Sequence, residues 1–286
     1  MSDKESNYVG RLAPSPTGLL HLGHAATFWM AAERARAASG ALLLRIEDLD
    51  EQRSRREFTE VIFEDLKWLG IAWSEPVMFQ SERLAAYREA FERLVREGWV
   101  YPCRCSRKDL AAMLHAPHET GAAVANVDDE GVYPGTCRPK DVNAREIELG
   151  VNYRFRVPDG EAIEFEDASA GAQKFTAGVE FGDFLVWRKD GIPSYQLACV
   201  VDDAATGVTE VVRGRDLLLS TARQILLQRA LEMRTPAYCH TQLLTDENGV
   251  RLAKRHDALA LRTLRESGVS AAEVVESFVG RSHTWR

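Results

Sequence analysis

Residues 11–24, RLAPSPTGLLHLGH, decide how the first strand of the chain gives way to its first helix. A strand is predicted over residues 8–13, and the prolines and glycine behind it force an abrupt turn. The next helix is predicted to open at His21 and His24, where unpaired N–H groups and a partial positive charge favour phosphate. Both imidazoles can donate to phosphate oxygens, and Gly23 lets an adenine or ribose ring lie against the backbone. The stretch predicts a nucleotide site, with two capping histidines on an exposed turn as the structural alternative.

Strands and helices alternate through the first hundred residues. Helices are predicted over residues 25–39, 54–69 and 82–97, and a glycine follows each of them. The mainly apolar run Ala41–Ile46 ends in the charged tail of residues 47–50. Such a run is typical of a buried parallel strand that reaches a functional edge. The alternation predicts an α/β fold with a doubly wound, Rossmann-like parallel sheet.

The pattern changes between about residues 99 and 177, which indicates an insertion. Later predicted elements are short β-like pieces at 151–157 and 162–165, apolar runs at 184–187, 194–201 and 210–212, a helix at 217–231, a strand at 237–244, and helices at 258–267 and 271–279. We therefore predict four parts: the N-terminal half of the main domain (1–100), an α+β insertion (101–183), the C-terminal half (184–245), and a basic loop with a short helical tail (246–286).

Composition excludes several classes of protein. The 286 residues are 45% hydrophobic and 28% charged, which is ordinary for a globular protein. The apolar stretches fall short of the roughly 20 residues of a membrane helix, and the polar N-terminus lacks the apolar core of a secretory signal. A cytoplasmic protein is expected. The net charge of −7 argues against a nucleic-acid coat protein, although a local basic face is compatible with it.

The cysteines indicate a metal site. Of five in the chain, Cys103, Cys105 and Cys137 cluster, whereas Cys199 and Cys239 lie in apolar, strand-like runs that predict inert core thiols. An odd count and a cluster favour a metal in a reducing compartment over disulfides. Three thiolates lack one ligand for tetrahedral zinc, and the alternative is three cysteines lining a small core.

A second basic segment lies about 230 residues after the first motif. Residues 251–256 read RLAKRH and follow Asn248 and Gly249, which predicts a loop. Arg251 and Lys254 can hold a triphosphate from the end opposite the histidines while its α-phosphate is attacked. The alternative is a solvated basic flank of a helix.

These motifs, in this order, resemble the glutamyl-tRNA synthetases, a class I group. Its HIGH element corresponds to residues 21–24 and its KMSKS loop to residues 251–255, and the resemblance continues over RIEDLD (45–50), YQLA (195–198) and VRGRDLL (212–218). It implies catalytic roles for His21, His24 and Lys254, and ATP contacts by these three residues, Gly23 and Arg251. Ala253 departs from the family serine, which puts a role of that hydroxyl in loop closure in doubt.

The resemblance also implies the residues that bind glutamate. They are Arg11, Leu12, Ala13, Pro14, Ser15, Glu47, Tyr195 and Arg213. A γ-carboxylate is best held by the paired donors of a guanidinium, which Arg11 or Arg213 can supply. Glu47 can accept from the α-amino group, and Tyr195 can close the pocket with its hydroxyl. The alternatives are an ion pair of Glu47 with Arg45 or Arg53 and a core position for Tyr195.

For the cysteine cluster, the short glutamyl-queuosine members of this family imply a structural zinc held by Cys103, Cys105, Tyr133 and Cys137. Histidine is chemically the commoner ligand, so His115 and His118 stay open as alternatives to Tyr133. This zinc would cross-link and stabilise the insertion. The insertion is expected to approach the acceptor-type end of an RNA.

Only about 30 residues follow Arg255, so no anticodon-binding domain is expected. This pattern resembles the short glutamyl-queuosine branch of the family. It implies activation of L-glutamate with Mg²⁺ and ATP without tRNA, then transfer to the queuosine base at the wobble position in the anticodon arm of tRNA(Asp). A monomer is expected. The alternatives are a catalytic fragment that charges tRNA(Glu) and a non-catalytic paralogue that binds RNA or glutamate.

Overall fold

Three parallel strands form the first half of the central sheet. In the computed structural model, which describes residues 8–106, 109–110, 132–140, 146–244 and 260–279, strands β1, β2 and β3 pair in that order. Their bounds are Val9–Leu12 (β1), Ala41–Ile46 (β2) and Ser74–Phe79 (β3), and the helices between and after them are Leu22–Ala37 (α1), Arg56–Trp68 (α2) and Leu84–Arg96 (α3). A 3₁₀ turn, Gln80–Arg83, precedes α3.

The second half of the sheet lies beside β1. The chain enters it after Phe184–Trp187 (β8), and its elements are Tyr195–Ala205 (α4), Glu210–Gly214 (β9), Leu218–Ala230 (α5) and Ala237–Thr241 (β10). Strands β9 and β10 are parallel. The N–H of Thr209 donates to the Val9 carbonyl at 2.8 Å, and Arg11 Nη1 donates to the Val212 carbonyl at 2.9 Å. The crevice between β1 and β9 is therefore a switch point of the kind where α/β sheets bind ligands.

The inserted strands contribute to two sheets. Val100–Cys103 (β4) and Asn152–Phe155 (β5) form an antiparallel sheet with β8. Ala162–Asp167 (β6) and Gly171–Thr176 (β7) form a hairpin, and β6 also pairs with β10 where Asp167 lies opposite Tyr238. Part of the range predicted as an insertion thus reaches the edge of the central sheet.

The C-terminal helices pack against the first half of the molecule. They are Leu261–Glu266 (α6) and Ala271–Val279 (α7). The Leu261 N–H donates to the Leu20 carbonyl at 2.8 Å, directly before the HLGH quartet. Arg265 of α6 forms an ion pair with Glu64 of α2 at 2.7 Å and lies 3.5 Å from Asp65. The chain beyond the basic segment is therefore anchored beside the first motif.

Both faces of the sheet are covered, as a parallel sheet requires. Leu42 and Leu44 face a core shared with α1, α2 and the C-terminal helices, whereas Val9 and Leu43 face a core shared with α3, α4 and α5. In the part of the chain that the structure describes, no helix is both long and apolar enough to cross a membrane.

Most predicted elements are present, with two kinds of difference. The sequence pattern missed β3, β4 and β7. It also treated residues 194–201 as strand-like, whereas the structure has the helix α4, so the strand-like placement of Cys199 is wrong. Ser194 caps this helix by accepting from the Leu197 N–H. Eight successive residues of α4 are buried, and a helix buried on all sides has the same apolar run as a buried strand.

Candidate active site

The carboxyl ends of β1, β2 and β9 meet the amino end of α4 at one edge of the sheet. The Glu47 N–H donates to the Pro14 carbonyl at 3.0 Å, which joins the tails of β1 and β2. Arg213 of β9 lies 3.5 Å, Nη1 to hydroxyl, from Tyr195, the first residue of α4. Within the segment predicted to bind glutamate, Leu12 is buried in the core on the α1 side, Pro14 is buried, Ala13 is half-buried and Ser15 is exposed.

Arg213 is almost completely buried, with 4% of the residue exposed, and its guanidinium is hydrogen-bonded on several sides. Its Nε donates to His240 Nε2 at 3.1 Å, Nη1 donates to Gln224 Oε1 at 2.8 Å, and Nη2 donates to Thr221 Oγ1 at 2.6 Å. Thr221 and Gln224 come from α5, and His240 comes from β10. The tertiary structure thus fixes the plane of this guanidinium before any ligand arrives.

A second buried cluster of charges lies beside it. Asp203 of α4 accepts from Arg45 Nη1 at 2.5 Å and lies 3.6 Å from Arg11 Nε. Burial raises the pKa of the Asp203 carboxyl, but Arg45 and Arg11 outweigh burial and hold that pKa below its usual value. The Arg11 side chain is only 5% exposed, and its Nε has no hydrogen-bond partner among the described residues.

Glu47 belongs to this cluster. Its Oε1 accepts from Arg45 Nη2 at 3.1 Å and from the Cys199 thiol at 3.4 Å. The pairing with Arg45 that the sequence left as an alternative is therefore present, but it is a half-buried pair and not a surface one. No described residue donates a hydrogen bond to Glu47 Oε2, so an acceptor for a cationic group remains at the strand end.

The HLGH quartet forms the first turn of α1. His21 is the residue before the helix, and its N–H donates to His24 Nδ1 at 3.1 Å. Because Nδ1 accepts, the neutral His24 ring carries its proton on Nε2. A Cβ built on Gly23 meets no atom of the described residues within 4 Å. The turn thus combines helix N–H groups, two imidazoles and an open backbone surface.

The flanks of the basic segment converge on this turn. Arg251, Ala253 and Lys254 lie outside the described residues, as does the whole of 245–259. Ala260, six residues beyond Lys254, forms an antiparallel β-bridge with His21. On the other flank, Thr241 at the end of β10 contacts Thr27 of α1, Oγ1 to Oγ1, at 3.0 Å. The described flanks of the basic segment, distant in sequence from the first motif, therefore both contact the amino-terminal part of α1 or the residue before it.

The cysteine cluster lies apart from this edge, at the end of β4. The Sγ atoms of Cys103, Cys105 and Cys137 all lie within 4.8 Å of one another. The Tyr133 hydroxyl lies 3.5 Å from the Cys103 sulfur and 3.4 Å from the Cys105 sulfur, and it accepts from the Cys137 N–H at 2.9 Å. His115 and His118 lie outside the described residues.

The two half-buried thiols of this cluster differ in acidity. Burial raises the pKa of Cys105 to about 11. Burial also opposes ionisation of Cys137, but the Arg104 N–H and hydrogen bonds from Tyr133 and the other two cysteines outweigh it and lower its pKa to about 7.

Comparison with known proteins identifies the family. A family model described as tRNA synthetases class I (E and Q), catalytic domain, matches residues 8–284. The chain belongs to this class I synthetase family. The resemblance predicted from the motifs is thereby confirmed, and the parallel sheet is that of a class I synthetase catalytic domain.

Two curated relatives are similar over most of this synthetase. The Glutamyl-Q tRNA(Asp) synthetase of Symbiobacterium thermophilum is 48% identical over 93% of this chain and 84% of its own length. The Glutamate–tRNA ligase 2 of Nitrosococcus oceani is 41% identical over 90% of this chain and 56% of its own length.

A solved structure gives the same fold. The glutamate tRNA ligase of Elizabethkingia meningosepticum, crystallised in complex with its amino acid, superposes with a TM-score of 0.72 at 25% identity. The match covers 92% of this synthetase and 53% of that chain, so the synthetase spans about half the length of that solved chain.

Sequence reasoning missed the residues that hold the predicted ones in place. They are Asp167, Asp203, Thr221, Gln224 and His240. One signal was available, because Thr221, Gln224 and Gln228 recur at helical spacing within an otherwise apolar segment. Such a polar stripe on a buried helix indicates a buried hydrogen-bonding partner. The partners themselves, Arg213 for Thr221 and Gln224 and Tyr238 for Gln228, are visible only in the fold.

Proposed function

We propose that this synthetase activates L-glutamate with ATP, without tRNA, and transfers the glutamyl group to the queuosine base at the wobble position of tRNA(Asp). It is an ATP-dependent ligase that forms a glutamyl-adenylate. The 48% identity to the Glutamyl-Q tRNA(Asp) synthetase, over 84% of that relative's length, carries the proposal. The buried, preorganised arginines at the strand ends support an acidic amino acid as substrate.

Activation would use both ends of the crevice. The glutamate α-carboxylate attacks the α-phosphate of ATP, and the amino end of α1 with His21 and His24 stabilises the charge that develops. Arg251 and Lys254 supply the opposing cations, and the Ala260–His21 bridge supports their approach to the same phosphates. Magnesium bound with ATP would neutralise part of the triphosphate charge.

Glutamate would lie between the two arginines. Arg213 or Arg11 holds the γ-carboxylate, and Glu47 accepts from the α-amino group through Oε2. Tyr195 closes the pocket next to Arg213. Segment 12–15 lines the same edge through the Pro14–Glu47 contact.

Transfer needs no protein nucleophile, because the adenylate is already an activated mixed anhydride. A hydroxyl of the queuosine cyclopentene-diol attacks the glutamyl carbonyl, an ester bond forms, and AMP leaves. The buried Cys199 thiol, next to Glu47, has no part in this step.

Two assays test the function. Glutamate-dependent ATP–pyrophosphate exchange should proceed without tRNA, and labelled glutamate should attach to tRNA(Asp) that carries queuosine. The matched control is the same tRNA(Asp) with guanosine at the wobble position, which should accept nothing. Equal charging of queuosine-free tRNA(Glu) would show that the RNA substrate is wrong, and absence of exchange would remove the activation step. Light scattering tests the further proposal that the enzyme is a monomer.

A second candidate, charging of tRNA(Glu), is favoured by one observation. The Nitrosococcus oceani Glutamate–tRNA ligase 2 is 41% identical over 90% of this chain. The terminal adenosine of tRNA would then replace queuosine as the acceptor. The queuosine-free tRNA(Glu) in the assay above also decides this case, because it carries the terminal adenosine but no queuosine.

We propose further that the cysteine cluster holds one structural zinc ion. Tetrahedral zinc with Zn–S bonds of about 2.3 Å spaces its sulfurs about 3.8 Å apart, which three Sγ atoms within 4.8 Å of one another fit. The contacts of the Tyr133 hydroxyl to Cys103 and Cys105 support it as the fourth ligand. All four ligands would be protein atoms. The ion would therefore cross-link the segment 101–183 and leave no coordination position open for a substrate or a catalytic water.

Metal analysis tests this site. Purified protein should contain about one zinc per chain, and Cys137→Ser should lose it. Cys239→Ser is the matched control, because Cys239 is buried in β10 outside the cluster. Tyr133→Phe should weaken zinc retention against a chelator. Full retention in Tyr133→Phe together with loss in His118→Ala would show that the fourth ligand is the histidine.

A further inference from the structure

The Nε edge of Arg213 faces a buried histidine. Three of the five guanidinium N–H groups donate to His240, Gln224 and Thr221 at 3.1 Å or less. One N–H on each Nη nitrogen remains, and Nη1 has only a long contact of 3.5 Å to the Tyr195 hydroxyl besides. Two N–H groups on neighbouring Nη atoms form the fork that donates to both oxygens of a carboxylate.

His240 is set up as an acceptor. It is fully buried, and its Nδ1 lies 2.5 Å from Asp167 Oδ2. Because a carboxylate only accepts, Nδ1 carries the proton and Nε2 presents its lone pair to the Arg213 Nε–H, with the Thr221 hydroxyl also 3.0 Å from Nε2. Burial and the neighbouring Arg213 charge lower the pKa of His240 to about 4, so the ring is neutral at pH 7.

Asp167 is itself fixed. Its Oδ1 accepts from the Ser169 N–H at 3.0 Å and the Ala170 N–H at 2.7 Å, in the turn that follows β6. Both Asp167 oxygens also lie 3.1 Å from the His240 N–H, in the neighbouring strand β10. The carboxylate therefore joins the inserted hairpin to the strand that carries the histidine.

We propose that His240 and Asp167 are positioning residues for glutamate selection: they hold the Nε edge of Arg213 and direct its remaining N–H pair at the amino-acid site. This inference rests on the proposed function. An imidazole with the opposite tautomer would turn an N–H toward Arg213 Nε–H, so the Asp167 carboxylate selects the useful tautomer.

Paired substitutions at His240 test the inference. His240→Met fills a similar volume without an acceptor facing Arg213, whereas His240→Gln can present its amide oxygen there. In pyrophosphate exchange, His240→Met should raise the KM for glutamate about tenfold to a hundredfold, with the KM for ATP within about twofold of the wild type. The preference for glutamate over glutamine should fall with it, and His240→Gln should recover most of both.

Two further variants separate positioning from stability. Gln228→Met removes another buried hydrogen bond of α5, from Gln228 to the Tyr238 hydroxyl at 3.2 Å, without touching Arg213. It should leave the KM for glutamate within about twofold of the wild type. Asp167→Asn turns an amide N–H toward His240 and favours the wrong tautomer, so it should reproduce the His240→Met effect.

Several outcomes would overturn the inference. One is an equal rise in the glutamate KM for His240→Met and Gln228→Met, and another is a His240→Gln protein as impaired as His240→Met. If His240→Met does not fold, a folded Asp167→Asn protein with full glutamate preference overturns it. Calorimetric titration of glutamate separates this test from the proposed function: wild-type protein that binds glutamate but exchanges no pyrophosphate contradicts only the latter.

Discussion

The two ends of the proposed crevice are built in opposite ways. At the amino-acid end, Arg213 and Arg11 are almost completely buried, and their positions are set by Asp203, His240 and neighbouring groups. At the proposed phosphate end, His24 is exposed, a Cβ on Gly23 would meet no described residue within 4 Å, and the proposed partner cations belong to a separate segment of the sequence.

This difference follows from what each end must recognise. A glutamate differs from glutamine by one charged group, so discrimination requires donors fixed in place before binding. A triphosphate offers many equivalent oxygens, and helix N–H groups with nearby cations stabilise its charge without a rigid shape. Burying a cation also costs desolvation free energy, so we expect buried arginines at the end that must be selective and exposed groups at the other end.

The largest expected effect comes from Arg213→Lys. Lysine keeps the charge but loses the planar fork, so kcat/KM for glutamate should fall about a thousandfold, since two charge-assisted hydrogen bonds are worth about 1.5–3 kcal/mol each. Steady-state pyrophosphate exchange measures it. A loss smaller than about tenfold would show that Arg11 alone holds the γ-carboxylate, and Arg11→Lys would then carry the large effect.

His24→Ala should act only on the rate. Removal of one donor to the developing charge lowers kcat about a hundredfold, while the free energy of unfolding falls by no more than about 1 kcal/mol because the ring is exposed. Exchange kinetics and thermal melts measure the two quantities. A raised KM for glutamate with unchanged kcat would contradict the assignment of this residue to the phosphate end.

Gly23→Ala tests the open surface beside the HLGH turn. Since an added Cβ meets no atom of the described residues within 4 Å, stability should not fall, whereas a nucleotide ring on this surface should raise the KM for ATP about tenfold. Leu22→Ala, on the next position of the same turn, is a control for general disturbance of the helix start. An unchanged KM for ATP in Gly23→Ala would place the ring elsewhere.

The smallest effect concerns a buried charge that lies near neither end. Asp65 is fully buried in α2, and burial raises its pKa to about 6 although Arg265 opposes the rise. A carboxyl whose pKa is raised in the folded state stabilises the fold when protonated, so stability is present below about pH 4 and is lost as the pH rises through about 6.

Asp65→Asn should therefore raise the free energy of unfolding by about 1 kcal/mol at pH 7.5 and change it little at pH 5. Denaturant melts at the two pH values measure the difference, with Glu64→Gln, on the exposed side of the same ion pair, as the control. A variant that is destabilised at pH 7.5 would mean that the Asp65–Arg265 attraction exceeds the cost of burial.

Much of the fold was predictable because it repeats simple patterns. The strand Ala41–Ile46 and the helix Ala271–Val279 have the predicted bounds, since their apolar spacing and end signals are local. The helix α4 was not predictable in the same way, because its apolar run reflects burial on all sides. Strand β7 is polar and largely exposed, so it lacks the alternation that marks a half-buried strand.

The sequence by itself determined the family, the parallel α/β class and the residue types that chemistry on a phosphate requires, because each depends on short motifs in a fixed order. Only the tertiary structure decided which nitrogen of His240 faces Arg213, that Glu47 shares Arg45 with Asp203, and that Ala260 lies against His21. Those facts depend on contacts between residues tens to hundreds of positions apart, and no local pattern specifies such contacts.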